Sequence, residues 1–286
     1  FWIDEYKRLY TAISSAAELL ALVSSVDLSV PTFDEGLKRY CSDWFRIDQL
    51  YRKFIYAFRT SEGPHPLDPL RDEVEKRYSN EYVYELGKAW QQRVDEGETW
   101  TSSALRSQRT FYRDYVEHLV REDKKAVVII SDAMRYEVGE ELGLRIRQED
   151  RFDASVDAAL GVLPSYTQLG MAALLPHTNL KYSPDANVVL ADGQPTNGTA
   201  NRKKVLEGVG GTAIQAEDFK AFNKEERREL FKANSVLYIY HNVIDSTGDK
   251  QGTERSVFEA VEQTFLELID LVKKAANANA TNMFVT

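Results

Sequence analysis

Ala126-Val-Val-Ile-Ile-Ser-Asp-Ala-Met-Arg-Tyr-Glu137 is the stretch that decides how this chain folds. Its first six residues are a short, β-branched, apolar run with no polar face, the pattern of a strand covered on both sides in the middle of a parallel sheet. The run ends at Asp132, and from Met134 the apolar residues recur at helical spacing to Arg147. Open α/β sheets bind ligands just beyond the carboxyl ends of their strands, so Asp132 stands where such a fold presents a metal ligand or an active-site acid.

Downstream, strand and helix patterns alternate. Phe152 to Leu160 alternates like a second strand, and Thr167 to Leu175 reads as a short helix. A minor strand at Val188 to Ala191, helices at Ala200 to Leu206 and Lys224 to Phe231, and a buried strand at Ser235 to Tyr240 follow. A long helix from Glu254 to Ala275 and a strand from Asn282 to Val285 complete the series. This order predicts a mostly parallel sheet with helices on both faces over residues 124–286. The stretch from Tyr182 to Phe222 reads as an insertion between core strands. Within it Arg202, Lys203 and Lys204 are read as a solvated helix face in preference to phosphate contacts.

Upstream, residues 1–123 carry only helical periodicity. Trp2, Leu9, Ile13, Ala16, Leu20 and Val23 mark one helix, and Trp44, Ile47, Tyr51, Phe54 and Phe58 mark a second. Gly63, Pro64, Pro66 and Pro69 break the chain. Val74, Tyr78, Tyr82, Leu86 and Trp90 then mark a third helix, and a fourth is expected from Thr101 to about Leu119. The expectation is an α-helical bundle preceding the α/β domain, with the charged segment Arg121 to Lys125 as connector. Arg46, Arg52, Lys53 and Arg59 interleave with Phe45, Tyr51, Phe54 and Phe58 as nucleic-acid-binding surfaces do. Aromatics facing a core and arginines facing water is the reading preferred.

Composition narrows the function classes. With 43% apolar and 28% charged residues among 286, the chain has the balance of ordinary globular domains. A net charge of -9 argues against a protein that coats nucleic acid. Cys41 is the single cysteine, which excludes an internal disulfide and any cysteine-based zinc site and fits a reducing cytoplasm. Glu18, Asp27 and several serines interrupt the longest apolar stretch, Ala12 to Val30, so no membrane span is expected. The chain opens Phe-Trp-Ile-Asp without Met or a secretory pattern, as an internal piece of a longer protein would.

The strand exits supply the candidate chemistry. Asp132 is either a helix N-cap or a ligand. Ser165 and Thr167, in Pro164-Ser-Tyr-Thr167, sit before a helix, where a hydroxyl serves as a cap or as a nucleophile. His241 is either a core histidine or, with Asp245 four residues on, a donor to a divalent cation, zinc or manganese. Arg135 follows the first exit. Taken together, one carboxylate, one hydroxyl and a His-Asp pair leaving the same sheet edge suggest a metal-activated nucleophile for phosphoryl or sulfuryl transfer. No Gly-x-x-x-x-Gly-Lys loop, Asp-x-Asp nucleophile or Gly-x-Ser-x-Gly elbow competes with that reading.

Three segments in order, Ile130 to Glu137, Ala191-Asp-Gly-Gln-Pro-Thr-Asn-Gly-Thr-Ala-Asn-Arg202 and Tyr238-Ile-Tyr-His-Asn-Val-Ile-Asp-Ser-Thr-Gly-Asp249, resemble the PglZ domain. That family is similar to the alkaline phosphatase superfamily and occurs in BREX phage-defence systems. The resemblance implies an alkaline-phosphatase-like sheet, C-terminally truncated here, and a metal-dependent phosphoesterase as parent. Asp132, Thr167, His241 and Asp245 then become metal ligands, with Thr167 also the nucleophile and Arg135 and Ser165 substrate contacts. His241 and Asp245 resemble the superfamily's Asp-x-x-x-His pair in inverted order. Asn282 to Thr286 resembles the strand that leads into an Asp-His-Gly metal motif, so only part of a site, and slow turnover, is expected. The implied partners are other BREX proteins and DNA or another phosphodiester. A non-catalytic assembly module of the defence complex is the alternative.

Overall fold

The strand Ala126–Ser131 (β1) forms where its sequence demands, with all six residues buried. This computed structural model describes residues 2–61, 67–184, 187–249 and 256–286. The expected breaks at Gly63, Pro64 and Pro66, the first residue Phe1 and the expected helix start at Glu254 lie outside those residues. Contacts divide the chain into two compact units, Phe1–Leu105 with Arg135–Glu141, and Arg106–Met134 with Leu142–Thr286. The division thus falls at residue 105 where the sequence suggested 123.

The first unit is helical. Trp2–Ser25 packs along Phe45–Thr60, burying Ala12, Ala16, Leu19 and Val23 from one and Ile47, Leu50, Phe54, Ile55 and Phe58 from the other. These are the three- and four-residue steps of an apolar helix face. Thr32 caps the next helical stretch by accepting the Glu35 N–H at 3.1 Å. Phe33–Arg39, Tyr40–Trp44 and Phe45–Thr60 follow one another without a break, the middle piece a π-turn. Asp68–Lys76, Arg77–Val83 and Tyr84–Glu96 repeat that arrangement. Arg52 corrects the expectation that the arginines face water. It is fully buried, donates from Nε to Glu137 at 3.0 Å, and reaches Glu141 from the terminal Nη2 that also lies 3.0 Å from Glu137. A guanidinium on this helix is buried because two carboxylates neutralise it.

The second unit is built on a parallel sheet. Gly211–Gln215 (β2), Val236–His241 (β3) and Asn282–Val285 (β4) join β1 in the order β2-β3-β1-β4. The two inner strands, β1 and β3, are buried throughout, as a strand covered on both faces must be. Side chains alternate between the faces. Val128, Ile130, Tyr238 and Tyr240 pack with Tyr112, Val116, Met171, Leu174 and Leu206 on one side. On the other, His241 turns towards Glu267 of the helix Val257–Asn277. That helix buries Val261, Phe265, Leu268, Val272 and Ala275, again at helical steps.

Three expectations need correction. Thr101 to Leu119 is not one helix: Arg106–Ser107 is a short strand paired parallel to Ala159–Leu160, and helical structure begins only at Gln108. Phe152 to Leu160 does alternate between more and less exposed residues, yet only its last two residues pair. Alternation reports which side faces the protein, and a ladder also needs a partner strand. The presumed insertion 182–222 contains β2, so its second half belongs to the main sheet. Only Leu180–Tyr182, Val189–Ala191 and Gln194–Pro195 form a separate antiparallel sheet.

Candidate functional site

Asp132 is delivered by backbone geometry. Its N–H donates to the His241 carbonyl at 2.9 Å, extending the β1–β3 ladder by one residue. The chain then turns sharply through Ala133, whose φ of 61° lies in the left-handed region. The Asp132 carboxylate accepts the Ala133 N–H at 3.0 Å. The helix Tyr136–Arg147 starts later, so Asp132 is not its N-cap. Burial pushes the Asp132 carboxyl up to about 6, the Asp245 and Asp249 charges add to the rise, and the Ala133 N–H and Arg202 oppose it.

Asp245 lies in the first turn of the helix Val243–Gly248, directly after β3. Its carboxyl is also raised, by burial and then by Asp249, with the Asn242 side chain opposing. Two carboxylates leaving adjacent parallel strands therefore repel each other across a partly buried edge.

Arg202 was read from the sequence as solvated, and the structure places it otherwise. Asp192 and Gly193, at φ 48° and 87°, turn the chain between Val189–Ala191 and Gln194–Pro195. The Asp192 carboxylate pins the neighbouring loop by accepting the Thr178 and Asn179 N–H groups, each at 2.8 Å. Gly198, at φ 73°, then opens the helix Gly198–Glu207. One turn later Arg202 is 8% exposed, donates from Nε to the Thr196 carbonyl at 2.9 Å, and lies over the Tyr240 ring with Cζ 4.8 Å from its centre. The Ala191 to Arg202 motif thus builds a seat for one guanidinium beside Asp132. No local sequence signal sets it apart from Lys203 and Lys204.

The remaining expected residues go to different places. His241 is fully buried, with Nδ1 3.1 Å from Ser131 Oγ and Nε2 3.6 Å from a Glu267 carboxylate oxygen, too long for a hydrogen bond. Burial lowers its pKa, so the ring is neutral near pH 7. Its strongest electrostatic neighbours are Glu267, Lys220 and Glu217, whereas those of Asp132 are Asp245, Arg202 and Asp249. Of the residues expected to share one pocket, 132, 167, 241 and 245, His241 is therefore turned away from Asp132, because period-two alternation sends its ring to the far face of the sheet. Thr167 is the first residue of the helix Thr167–Ala173 and is exposed, as is Ser165. Arg135 belongs to the first unit, where it lies 3.4 Å from Glu137. Among the described residues, no group of three or more His, Cys, Asp and Glu side chains is placed to hold a metal ion. Asp132 and Asp245 are thus at most part of a ligand shell.

A parallel α/β sheet with acidic groups just beyond its strand ends defines the class of α/β folds that bind ligands at that edge. Residues 111–286 match the family model described as the BREX system PglZ alkaline phosphatase-like domain, and the chain belongs to that family. It is similar to the alkaline phosphatase-like protein PglZ of Bacillus cereus (strain H3081.97), with 39% identity over 99% of this chain and 33% of that protein. It is also similar to the alkaline phosphatase-like protein BrxZ of Escherichia coli O9:H4 (strain HS), with 41% identity over 99% of this chain and 34% of that protein. The chain therefore spans about a third of the length of these curated relatives. No helix among the described residues is long and apolar enough to cross a membrane.

Proposed function

We propose that the whole protein is a phosphoester hydrolase of a BREX phage-defence system, acting on DNA or another phosphodiester, and that this chain supplies one wall of its site. The observation that carries this reading is the placement of Asp132 and Asp245 just beyond the ends of neighbouring parallel strands, where burial raises both carboxyl groups and the Asp245 charge adds to the rise of Asp132. Mutually repelling carboxylates are a donor set that a divalent cation relieves, zinc or manganese by ligand type. Asp132 and Asp245 would hold it, and a bound cation would polarise a phosphoryl oxygen. His241 is assigned to positioning, since its ring packs between Ser131 and Glu267.

Thr167 is the proposed nucleophile. Its hydroxyl oxygen attacks phosphorus as the hydroxyl proton leaves to solvent, the bond to the leaving alkoxide breaks, and the alkoxide takes up a proton from solvent. Water then cleaves the phosphothreonine. Ser165, exposed two residues earlier, is the proposed substrate contact. Arg135 is left out of this role because it pairs with Glu137 in the other unit. The family description and the names of the relatives support the hydrolase class.

The test is hydrolysis of bis(p-nitrophenyl) phosphate by the whole protein with added zinc or manganese. Asp132→Asn and Thr167→Ala are each expected to cut the rate by at least about 100-fold, as removal of an electrostatic or nucleophilic group does. Unchanged rates in both would refute the proposal. Phage resistance that survives both substitutions would point to an assembly role for the protein.

A further inference from the structure

We propose that Arg202 is an oxyanion-binding residue whose terminal N–H groups take a phosphoryl oxygen of the substrate beside Asp132. This rests on the hydrolase reading for the identity of the anion and on separate geometry for the residue. Burying a guanidinium is costly, and proteins usually offset the cost with a carboxylate in contact. Arg52 follows that rule, gripped by Glu137 and Glu141. Arg202 is 8% exposed, yet among the described residues no carboxylate oxygen lies within 4.0 Å of its nitrogens.

What holds Arg202 leaves its far end available. Nε is spent on the Thr196 carbonyl, and the cationic plane rests on Tyr240, which fixes its orientation. A guanidinium has five N–H donors in a rigid fork, so even with the Tyr240 hydroxyl as a neighbour terminal N–H groups remain, and neither terminal nitrogen is sealed off as a buried, partnerless atom. Tyr240 is the register partner of Ile130, two residues before Asp132, and the next residue, His241, accepts the Asp132 N–H, so the guanidinium lies at the strand ends that carry Asp132. A fork held rigidly and stripped of most water at the strand ends suits a tetrahedral anion, whose remaining charge a cation held by Asp132 would offset. Lys203 and Lys204, the next residues on the same helix, are exposed and carry no such restraint.

Inorganic phosphate is the probe. Its affinity for the whole protein, followed by phosphorus NMR in the presence of manganese-free zinc buffer, is expected to fall about 10- to 100-fold in Arg202→Gln, the loss of one charge-assisted hydrogen-bonding group. Arg202→Lys should recover part of the loss, because the charge stays and the fork does not. Lys203→Gln, the same charge change one residue on, should bind as the unsubstituted protein does. In the unsubstituted protein phosphate should slow hydrogen exchange in the 194–206 peptide, a readout that survives if the Arg202 variants fail to fold. Equal affinity in Arg202→Gln, equal loss in Lys203→Gln, or no exchange protection by phosphate would each overturn the assignment. Phosphate binding that depends on Arg202 in a protein without ester hydrolysis would refute the hydrolase reading and leave this one standing.

Discussion

Ser131 and His241 are register partners on neighbouring parallel strands, and their side chains meet with Oγ 3.1 Å from Nδ1. That contact fixes the imidazole on the face of the sheet opposite Tyr240 and Arg202. It separates a histidine that the family motif would make a ligand from the carboxylate next to it in space along the backbone.

His241→Ala is therefore expected to act mainly on stability, costing about 2–4 kcal/mol as a large-to-small change at a fully buried position. Urea unfolding measures the cost, and zinc titration of the whole protein should show unchanged affinity. A large drop in zinc affinity with little change in stability would return His241 to the ligand set.

Arg52 and Glu137 make the opposite kind of pair, both fully buried and 3.0 Å apart. Arg52→Met takes the buried cation from two carboxylates, leaving them only the half-exposed Arg135 and Lys53, and is expected to destabilise the protein by about 3–5 kcal/mol. The double change Arg52→Met with Glu137→Met should recover much of that loss. A thermal melt in which the double variant is no better than the single one would show that packing, rather than charge, sets the cost.

Asp132 should trade stability for function. Its folded pKa of about 6 lies above the ordinary carboxyl value, so the folded state holds the proton more tightly than the unfolded chain does. The stabilisation this gives is complete below about pH 4 and is lost as pH rises to about 6. In chelator-treated protein, Asp132→Asn should be more stable than the parent above pH 6, by about 1 kcal/mol after allowance for its partial exposure. The advantage should shrink to nothing near pH 4. A variant less stable at pH 7.5 would contradict this sign.

Asp34 carries the reverse dependence. Its carboxylate accepts the Ser102 hydroxyl at 2.6 Å and the Ser103 N–H at 3.1 Å, and the Ser102 and Ser103 hydroxyls hold its pKa below the ordinary value. The stabilisation is present above about pH 4 and is lost as pH falls through the folded-state value. Asp34→Asn should unfold earlier than the parent at neutral pH and alongside it in strong acid, as followed by circular dichroism. A gap that widens in acid would exclude the linkage.

The parts of the fold that were legible share one property: their signal is local. Val127 to Ile130 and Val236 to Tyr240 are apolar at every position, so a buried strand followed from the residues themselves. The Gly211–Gln215 strand was not legible, because Gly-Thr-Ala-Ile-Gln has one large apolar side chain and occupies a sheet edge. Its glycine serves a contact far along the chain, since a Cβ at Gly211 would meet the Val236 carbonyl at 2.9 Å. Arg202 was hidden for the same reason. Beside Lys203 and Lys204 it looks like a charged helix face, and only the Tyr240 ring on another element shows that it is covered. Asp132 and Asp245 were found by position at strand exits, whereas the facing of His241 depended on ladder register.

The sheet order also governs how the polypeptide acquires its shape during synthesis. β1 has no hydrogen-bonded strand within its own neighbourhood, and Ser131 waits for a partner 110 residues later, while Lys125 meets Asn282 across 157 residues. Such pairings close large loops before they are rewarded, which makes folding slow. A ribosome that has released β1 has therefore released an apolar ribbon with nothing to pair with until β3 emerges, and chaperone demand in the cell should be greatest over that interval.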